Sequence, residues 1–253
     1  METPGKALIR KRFSRALDTY SEAADIQTRM ADKLCSMITG YRMQFPNVLE
    51  IGAGTGLLTD RLDRMIGWNC RIVNDLAEEC RKFHSHRDKT VFLPGDAEYL
   101  DWGQTFDLIC SNAAFQWIAD LPAFLKRLNS VSTSGGLLAF SSFGPDNLKE
   151  LTALTGAGLH YYSVDELTSM LKHAGFQIQH AEAETNIRSF SDPLDILKEM
   201  RRTGVSASAG QSWWTPHRLA DFREKYRSRF GNAEGGVNLT WNPVYVLAVS
   251  CLD

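Results

Sequence analysis

The run "VLEIGAGTGLLTD", Val48 to Asp60, sets Gly52, Gly54 and Gly56 at alternate positions between an apolar segment and a helix-like one. Glycines this close make a tight turn whose backbone a ligand can approach without a Cβ in the way. A short strand must lead in and a helix must lead out. The chain repeats that rhythm: "RIVND", "TVFLPGD", "FDLICSNA" and "GGLLAFSSF" are short apolar runs separated by helix-like stretches. Strands alternating with helices mean βαβ units and a parallel sheet covered on both faces. A chain of 253 residues, 43% hydrophobic, is expected to form one large α/β domain over residues 1–253.

The glycine spacing excludes one function class. A dinucleotide loop reads G-x-G-x-x-G. Counted from Gly52, its third glycine falls on Leu57; counted from Gly54, on Thr59. Nicotinamide chemistry is therefore disfavoured. What fits is an acidic residue followed by G-x-G-x-G: Glu50, Gly52, Gly54 and Gly56. With a helix starting near Leu57 to aim backbone N–H groups at a ligand, this loop suits a small zwitterion better than two phosphates.

Ligands of doubly wound sheets sit at the carboxyl ends of the strands. Asp75 ends the second strand at the distance expected of a ribose-binding carboxylate, with a cap on the next helix as the alternative. Asp96 ends the third strand and could accept from an adenine amino group, or simply form a turn with Gly95. Asn112 ends the fourth strand beside the cleft, and Gln116 and Trp117 lie near it, whereas Phe115 and Phe124 read as core. His84 and His86 in "HSH" read as a solvated helix end, and no metal site is expected. A net charge of −2 gives no nucleic-acid footprint, and no apolar run is long enough to span a bilayer. Cys35, Cys70, Cys80, Cys110 and Cys251 form no Cys-x-x-Cys pair and read as reduced thiols of a cytoplasmic protein. The basic "KALIRKRFSRAL" is followed at once by acidic residues and reads as an amphipathic helix of the mature protein, not a transit peptide.

Beyond residue 145 the rhythm loosens. "SVDELTSMLKHAGF" is a helix with Ser163 as cap and Gly175 as stop. "QIQHAEAETNIRSF" alternates like one edge strand. Pro193 and Pro216 open two further helices, and "LTWNPVYVLAVSCLD" reads as a last strand.

In their order, "VLEIGAGTG", "ND", "GDAE" and "SNAAFQW" resemble the class I S-adenosylmethionine (SAM)-dependent methyltransferases. The resemblance implies a mostly parallel, Rossmann-like sheet of about seven strands with the last antiparallel near an edge. It also implies SAM across the strand ends: Glu50, Gly52, Ala53 and Gly54 near the methionine, Asp75 and Leu76 at the ribose, Asp96 and Ala97 at the adenine, and Asn112 and Gln116 alongside. The flanks, "RFSRALDTYSEAADIQTRMADKL", "MRRTGVSA" and "LTWNPVYVLA" among them, are similar to the malonyl-carrier-protein O-methyltransferases of biotin synthesis over nearly the whole chain. That implies an N-terminal helical lid (1–44) carrying Tyr20 and Gln27 over SAM, a SAM-binding core (45–145) and a helical substrate lid (190–235). It implies a substrate of malonyl-acyl-carrier protein or malonyl-CoA, whose methyl ester starts the biotin pimeloyl chain, with no nucleic acid, no membrane and a monomeric enzyme. Another carboxylate, phenol or amine acceptor, or a catalytically silent SAM-binding module, are the alternatives. The sequence departs from the family pattern at "NDLAEE", at Trp241 where a tyrosine is usual, and in "TGVSASAG".

The chemistry asks for little. A malonyl carboxylate has a solution pKa of about 4 and is already a nucleophile at neutral pH, so no general base is needed. Positioning in a dry site does the work. An anion entering such a site needs a cation. Arg201 in "MRRTG" matches a usually basic family position and is the candidate, with Trp117 beside the substrate. The basic run Arg223, Lys225, Arg227 and Arg229 reads as a solvated helix face, or as a docking site for an acidic carrier.

Overall fold

A computed structural model of the chain describes residues 5–204 and 214–252. In chain order the elements are α1 (Lys6–Ala23), α2 (Asp25–Tyr41), β1 (Asn47–Ile51), α3 (Thr59–Met65), β2 (Cys70–Asp75), β3 (Thr90–Pro94), β4 (Phe106–Asn112), α4 (Leu121–Ser130), β5 (Ser132–Phe143), α5 (Lys149–Thr155), α6 (Val164–His173), β6 (Phe176–Ala183), β7 (Asn186–Phe190), α7 (Pro193–Arg202), α8 (Pro216–Phe230), β8 (Val237–Trp241) and β9 (Pro243–Ser250). They form two compact units. One comprises Asp25–Ser142, Tyr162–Ala183 and Val244–Asp253; the other comprises Met1–Ala24, Phe143–Tyr161 and Glu184–Pro243.

The larger unit is built on a seven-stranded sheet in the order β3-β2-β1-β4-β5-β9-β6. β1 pairs in parallel with β2 and β4, β2 with β3, and β4 with β5. β9 runs antiparallel to the edge strand β6. Side chains alternate across the sheet. Leu49, Ile109, Leu138, Phe140 and Val246 pack with Phe124 and Leu128 of α4 and Leu171 of α6. Val48, Leu108, Cys110, Leu137 and Ala139 pack with Leu34 and Ile38 of α2 and Leu62 of α3. This is the doubly wound, mostly parallel sheet read from the apolar runs. The α6 start was legible too. Ser163 Oγ accepts from the Glu166 N–H at 3.2 Å, Glu166 returns a carboxylate oxygen to the Ser163 N–H at 2.7 Å, and Gly175 sits beyond the end at φ +91°.

In the smaller unit α7 packs on α1 and α8, and β7 pairs antiparallel with β8. Glu150, buried at the start of α5, accepts from the Thr240 N–H (3.0 Å) and its hydroxyl (2.5 Å), tying α5 to β8. Two sequence readings are corrected here. "QIQHAEAETNIRSF" is not one strand but β6 and β7, in different sheets, and "LTWNPVYVLAVSCLD" divides likewise into β8 and β9. The breaks face one another: the Glu184 N–H donates to the Pro243 carbonyl, and Asn242 Nδ2 donates to the Glu184 carbonyl at 2.6 Å. Alternation persists through the first break and burial is continuous through the second, so periodicity could not reveal them. The N-terminal segment is likewise two helices, separated at Ala24.

The basic face of α8 is not simply solvated. Arg223 and Arg227 both pair with the Asp192 carboxylate, which also caps α7 by accepting from the Leu194 N–H at 2.9 Å. Charge reversal at these arginines would therefore disturb the α7–α8 joint before it reported on any partner. Asp192→Ala is expected to remove a cap worth about 1 kcal/mol and leave two guanidinium groups facing each other. Hydrogen exchange in α7 and α8 should accelerate. Asp192→Asn, which keeps the cap but not the charge, should fall between wild type and Asp192→Ala.

Among the described residues, no helix is long and apolar enough to cross a membrane.

Candidate active site

The glycine loop leaves β1 and turns back with Gly52 at φ +68°, Gly54 at +54° and Gly56 at +94°. Only glycine adopts such angles cheaply. Gly52 is constrained twice, because a Cβ there would lie 2.4 Å from Ala114 Cβ. Ala114 belongs to the loop after β4, which begins at Ala113 with φ +53°. The Ala113 N–H donates to the Ser141 carbonyl and hydroxyl, both at 3.1 Å, so β5 holds this strained residue in place.

Asp75 closes the loop from β2. One of its oxygens accepts from the Gly54 N–H and the other from the Ala77 N–H, both at 2.8 Å. Burial pushes its carboxyl upward in pKa, and the Ala77 and Gly54 N–H groups pull the other way. The helix-cap alternative for Asp75 is not realised, because the following 3₁₀ segment is preceded by Ala77 and has no side-chain cap; the Ala77 bond is a local turn. Glu50 is buried beneath the loop: one oxygen accepts from the Thr59 hydroxyl at 3.0 Å, and the other has no partner. Burial raises its pKa to about 7, against the opposing pull of Arg71 and Thr59.

Asn112, the last residue of β4, donates to the Gln27 carbonyl (3.1 Å) and accepts from the Ser141 hydroxyl (2.7 Å). Gln27 is 3% exposed and its side-chain oxygen is unpartnered. Gln116 donates to the Ala113 carbonyl at 2.6 Å. Asp96 lies two residues beyond β3, not on its last position, and accepts from the Glu98 N–H in a turn. Ala53 and Ala97 are buried, and Leu76 is half-buried. Trp117 is half-buried, while Phe115 and Phe124 are core. The outgoing helix α3 starts at Thr59, two residues later than Leu57.

So Gln27, Glu50, Gly52, Gly54, Asp75, Asn112 and Gln116 all lie in the larger unit. Tyr20 is on α1 and Arg201 on α7, both in the smaller one. Tyr20 packs edge-on against Phe13 at 5.1 Å. Arg201 is exposed and, among the described residues, makes no ion pair; its neighbour Met200 is the buried residue of that turn, and Arg202 pairs with Glu22. Most of "TGVSASAG" lies outside the described residues.

A methyltransferase-domain family model matches residues 8–181. Curated relatives named malonyl-[acyl-carrier protein] O-methyltransferase match nearly the whole chain. That of Chlorobium luteolum is 38% identical, with 95% of this chain and 94% of the relative aligned. That of Porphyromonas gingivalis is 36% identical, with 95% and 94% aligned. The chain belongs to this family. It spans only 50% of a third relative, from Bacteroides fragilis, which is 38% identical over 96% of this chain. Among solved structures, a putative methyltransferase from Bacillus halodurans C-125 superposes with a TM-score of 0.65 at 13% identity, covering 87% of this chain and all of that one. The N-methyltransferase NodS from Bradyrhizobium japonicum WM9, solved with S-adenosyl-L-homocysteine, gives 0.59 at 14% identity, covering 96% and 98%. At these identities the likeness is one of fold.

Family membership leaves one part of the site unexplained: what lies under the glycine loop. His84, read from sequence as a solvated helix end, is fully buried, with Nε2 3.0 Å from the Gly54 carbonyl oxygen. It follows a short 3₁₀ segment, Glu78–Phe83, where the sequence suggested a regular helix. Arg71, also fully buried, pairs with Asp63 at 2.7 Å and donates to the Thr90 hydroxyl. Arg87 pairs with Asp60 at 2.5 Å and with Asp63. These charges were visible in the sequence, but nothing in their spacing showed that they meet.

Proposed function

We infer that the enzyme transfers a methyl group from SAM to the free carboxylate of a malonyl thioester, malonyl-acyl-carrier protein or malonyl-CoA. The observation that carries the substrate is the name shared by relatives at 36–38% identity over nearly the full chain. The cofactor reading has support in the geometry. The loop at the end of β1 turns through three left-handed glycines, and the buried Glu50 and Gln27 each leave an oxygen unpartnered. A cationic ammonium is what an orphaned carboxylate oxygen lacks. In this reading Glu50, Gly52, Ala53 and Gly54 serve the methionine end. Asp75 and Leu76 serve the ribose: the Asp75 carboxylate accepts from the Gly54 and Ala77 N–H groups and from the Cys80 thiol, and its two oxygens retain acceptor capacity for a hydroxyl. Asp96 and Ala97 serve the adenine, and Asn112, Gln116 and Gln27 line the site.

SAM, when bound, supplies an electrophilic methyl on a sulfonium. The protein must place a carboxylate oxygen in line with the methyl–sulfur bond and exclude water. Such positioning supplies about 7–11 kcal/mol in favourable intramolecular models. The carboxylate is ionised at neutral pH, so no residue needs to take a proton. Tyr20 as a lid residue, and Trp117 and Arg201 as substrate contacts, belong to the same proposal. Arg201, an exposed guanidinium without an ion-pair partner among the described residues, has its charge available for a carboxylate. A cytoplasmic, monomeric enzyme acting without nucleic acid or membrane completes the reading, with the near-neutral charge in its support.

The test is incubation with methyl-labelled SAM and malonyl-carrier protein, with acetyl- and succinyl-carrier proteins beside it. Label should enter malonyl-carrier protein as a base-labile ester. Transfer to the succinyl substrate alone would move the reading to another carboxylate, and binding of NAD in place of SAM would reject it. Exchange of α1 and α2 amides should slow separately on adding S-adenosylhomocysteine if each contributes to the closed state.

A further inference from the structure

We propose that His84 is a positioning residue for the cofactor, holding the Gly54 carbonyl while Asp75 holds the Gly54 N–H, so that the peptide units on both sides of Gly54 are fixed. The inference rests on the reading of Gly52–Gly56 as the SAM cradle. The Gly54 peptide groups are engaged by two side chains: the N–H donates to Asp75 at 2.8 Å, and the carbonyl lies 3.0 Å from His84 Nε2. Since a carbonyl only accepts, Nε2 must carry the proton. The ring is fully buried and stacks on Phe92, with centroids 5.7 Å apart and planes 8° from parallel. A Cβ on Gly56 would come within 3.6 Å of His84 Cε1, so the ring also borders the space beside a second glycine of the loop.

The polar cost of the residue points the same way. His84 Nδ1 is buried without a partner, which a residue serving only to fill space would avoid. Burial depresses its pKa to about 4, with Arg87 and Arg71 pushing in the same direction, so the ring is neutral at physiological pH. The hydrogen bond that the His84 ring donates goes to Gly54, the middle of the three left-handed glycines. His84 therefore does not touch the ligand. It fixes the peptide plane against which the methionine end must lie, before the ligand arrives.

Three forms separate positioning from mere packing. His84→Phe keeps the stack on Phe92 and loses the donor. His84→Gln retains a side-chain N–H able to reach the Gly54 carbonyl. Calorimetry with S-adenosylhomocysteine and with 5′-methylthioadenosine, which lacks the amino acid, distinguishes the two ends of the cofactor. We expect His84→Phe to bind S-adenosylhomocysteine about tenfold more weakly, roughly the upper range of one neutral hydrogen bond, with a much smaller loss for methylthioadenosine. His84→Gln should recover most of the loss. Equal losses for both ligands, or none, would overturn the proposal. Should His84→Phe fail to fold, nitrogen NMR of the wild-type enzyme decides: a neutral ring with its proton on Nε2, protected from exchange, supports the bond, and the opposite tautomer refutes it. If the wild-type enzyme binds neither ligand, the SAM reading has failed, not the role of His84 within it.

Discussion

Gly52→Ala is expected to abolish measurable cofactor binding and to lower the unfolding midpoint by several degrees. Two costs combine. Alanine at φ +68° carries a left-handed penalty of about 1–2 kcal/mol. The new Cβ would lie 2.4 Å from Ala114 Cβ, so the loop after β4 must retreat, and overpacking of this kind costs about 1–3 kcal/mol. That loop already contains the strained Ala113 and is fastened to Ser141, so it has little freedom to yield. The second half of the argument can be isolated. Ala114→Gly removes the clashing atom, and the double variant should regain the steric part of the loss while keeping the backbone part. Calorimetric titration with S-adenosylhomocysteine and thermal unfolding of all three variants check this. Single and double variants of equal stability would show that the contact does not govern the loop.

Glu50→Gln should move stability and binding in opposite directions. The folded protein holds the Glu50 proton up to about pH 7, whereas an unfolded chain releases it near its ordinary value of 4.5. Below pH 4.5 the group is protonated in both states and costs nothing. As pH rises toward and through 7, the unfolded state gains by ionising first, so wild-type stability falls. The cost at pH 8 is about 3 kcal/mol as an order of magnitude. Glutamine still accepts from Thr59 and carries no charge to desolvate. The variant should be more stable than wild type at pH 8, nearly equal to it at pH 4, and flatter between. Its affinity for SAM should fall, because a cationic ammonium would face an amide in place of a carboxylate. Buried charge retained at a cost to stability is the usual mark of a functional group. Unfolding midpoints from pH 4 to 8 without ligand, then with it, test both halves; a wild-type profile parallel to that of the variant would remove the basis for the shift.

The parts of this molecule that were legible in its sequence are those where one local rule decides. Val48, Leu49 and Ile51 needed cover on both faces, and the glycines needed left-handed angles. Ser163 read as the cap of its helix and Gly175 as its stop; the structure adds Glu166 as the returning partner. Asp75 and Asn112 ended their strands as read, although the structure gives both a mechanical task, holding Gly54 and Gln27, that a ligand-centred reading does not contain. The parts that were not legible depend on contacts distant in the chain. His84 is 30 residues from Gly54 and looks like any polar residue after a short helix. The break at Glu184 preserves the alternation on either side, that at Asn242 lies in a continuously buried run, and hydrogen bonds join the two. Pro193 marked a helix start, but only the structure shows that the preceding Asp192 carries two arginines on one carboxylate.

The division into two units has a practical consequence for anyone who would take the enzyme apart. The chain passes from one unit to the other between Ala24 and Asp25, Ser142 and Phe143, Tyr161 and Tyr162, Ala183 and Glu184, and Pro243 and Val244. Neither unit is a contiguous piece of polypeptide. A truncation after Ala183 would delete most of the smaller unit, but it would also strip β9 from between β5 and β6 and leave two sheet edges unpaired. A fragment from Glu184 onward would carry β7, β8, α7 and α8 without α5, whose Glu150 binds Thr240. Gene fragments that follow the line of the sequence should therefore yield insoluble protein from either half, and co-expression of the two halves should restore it.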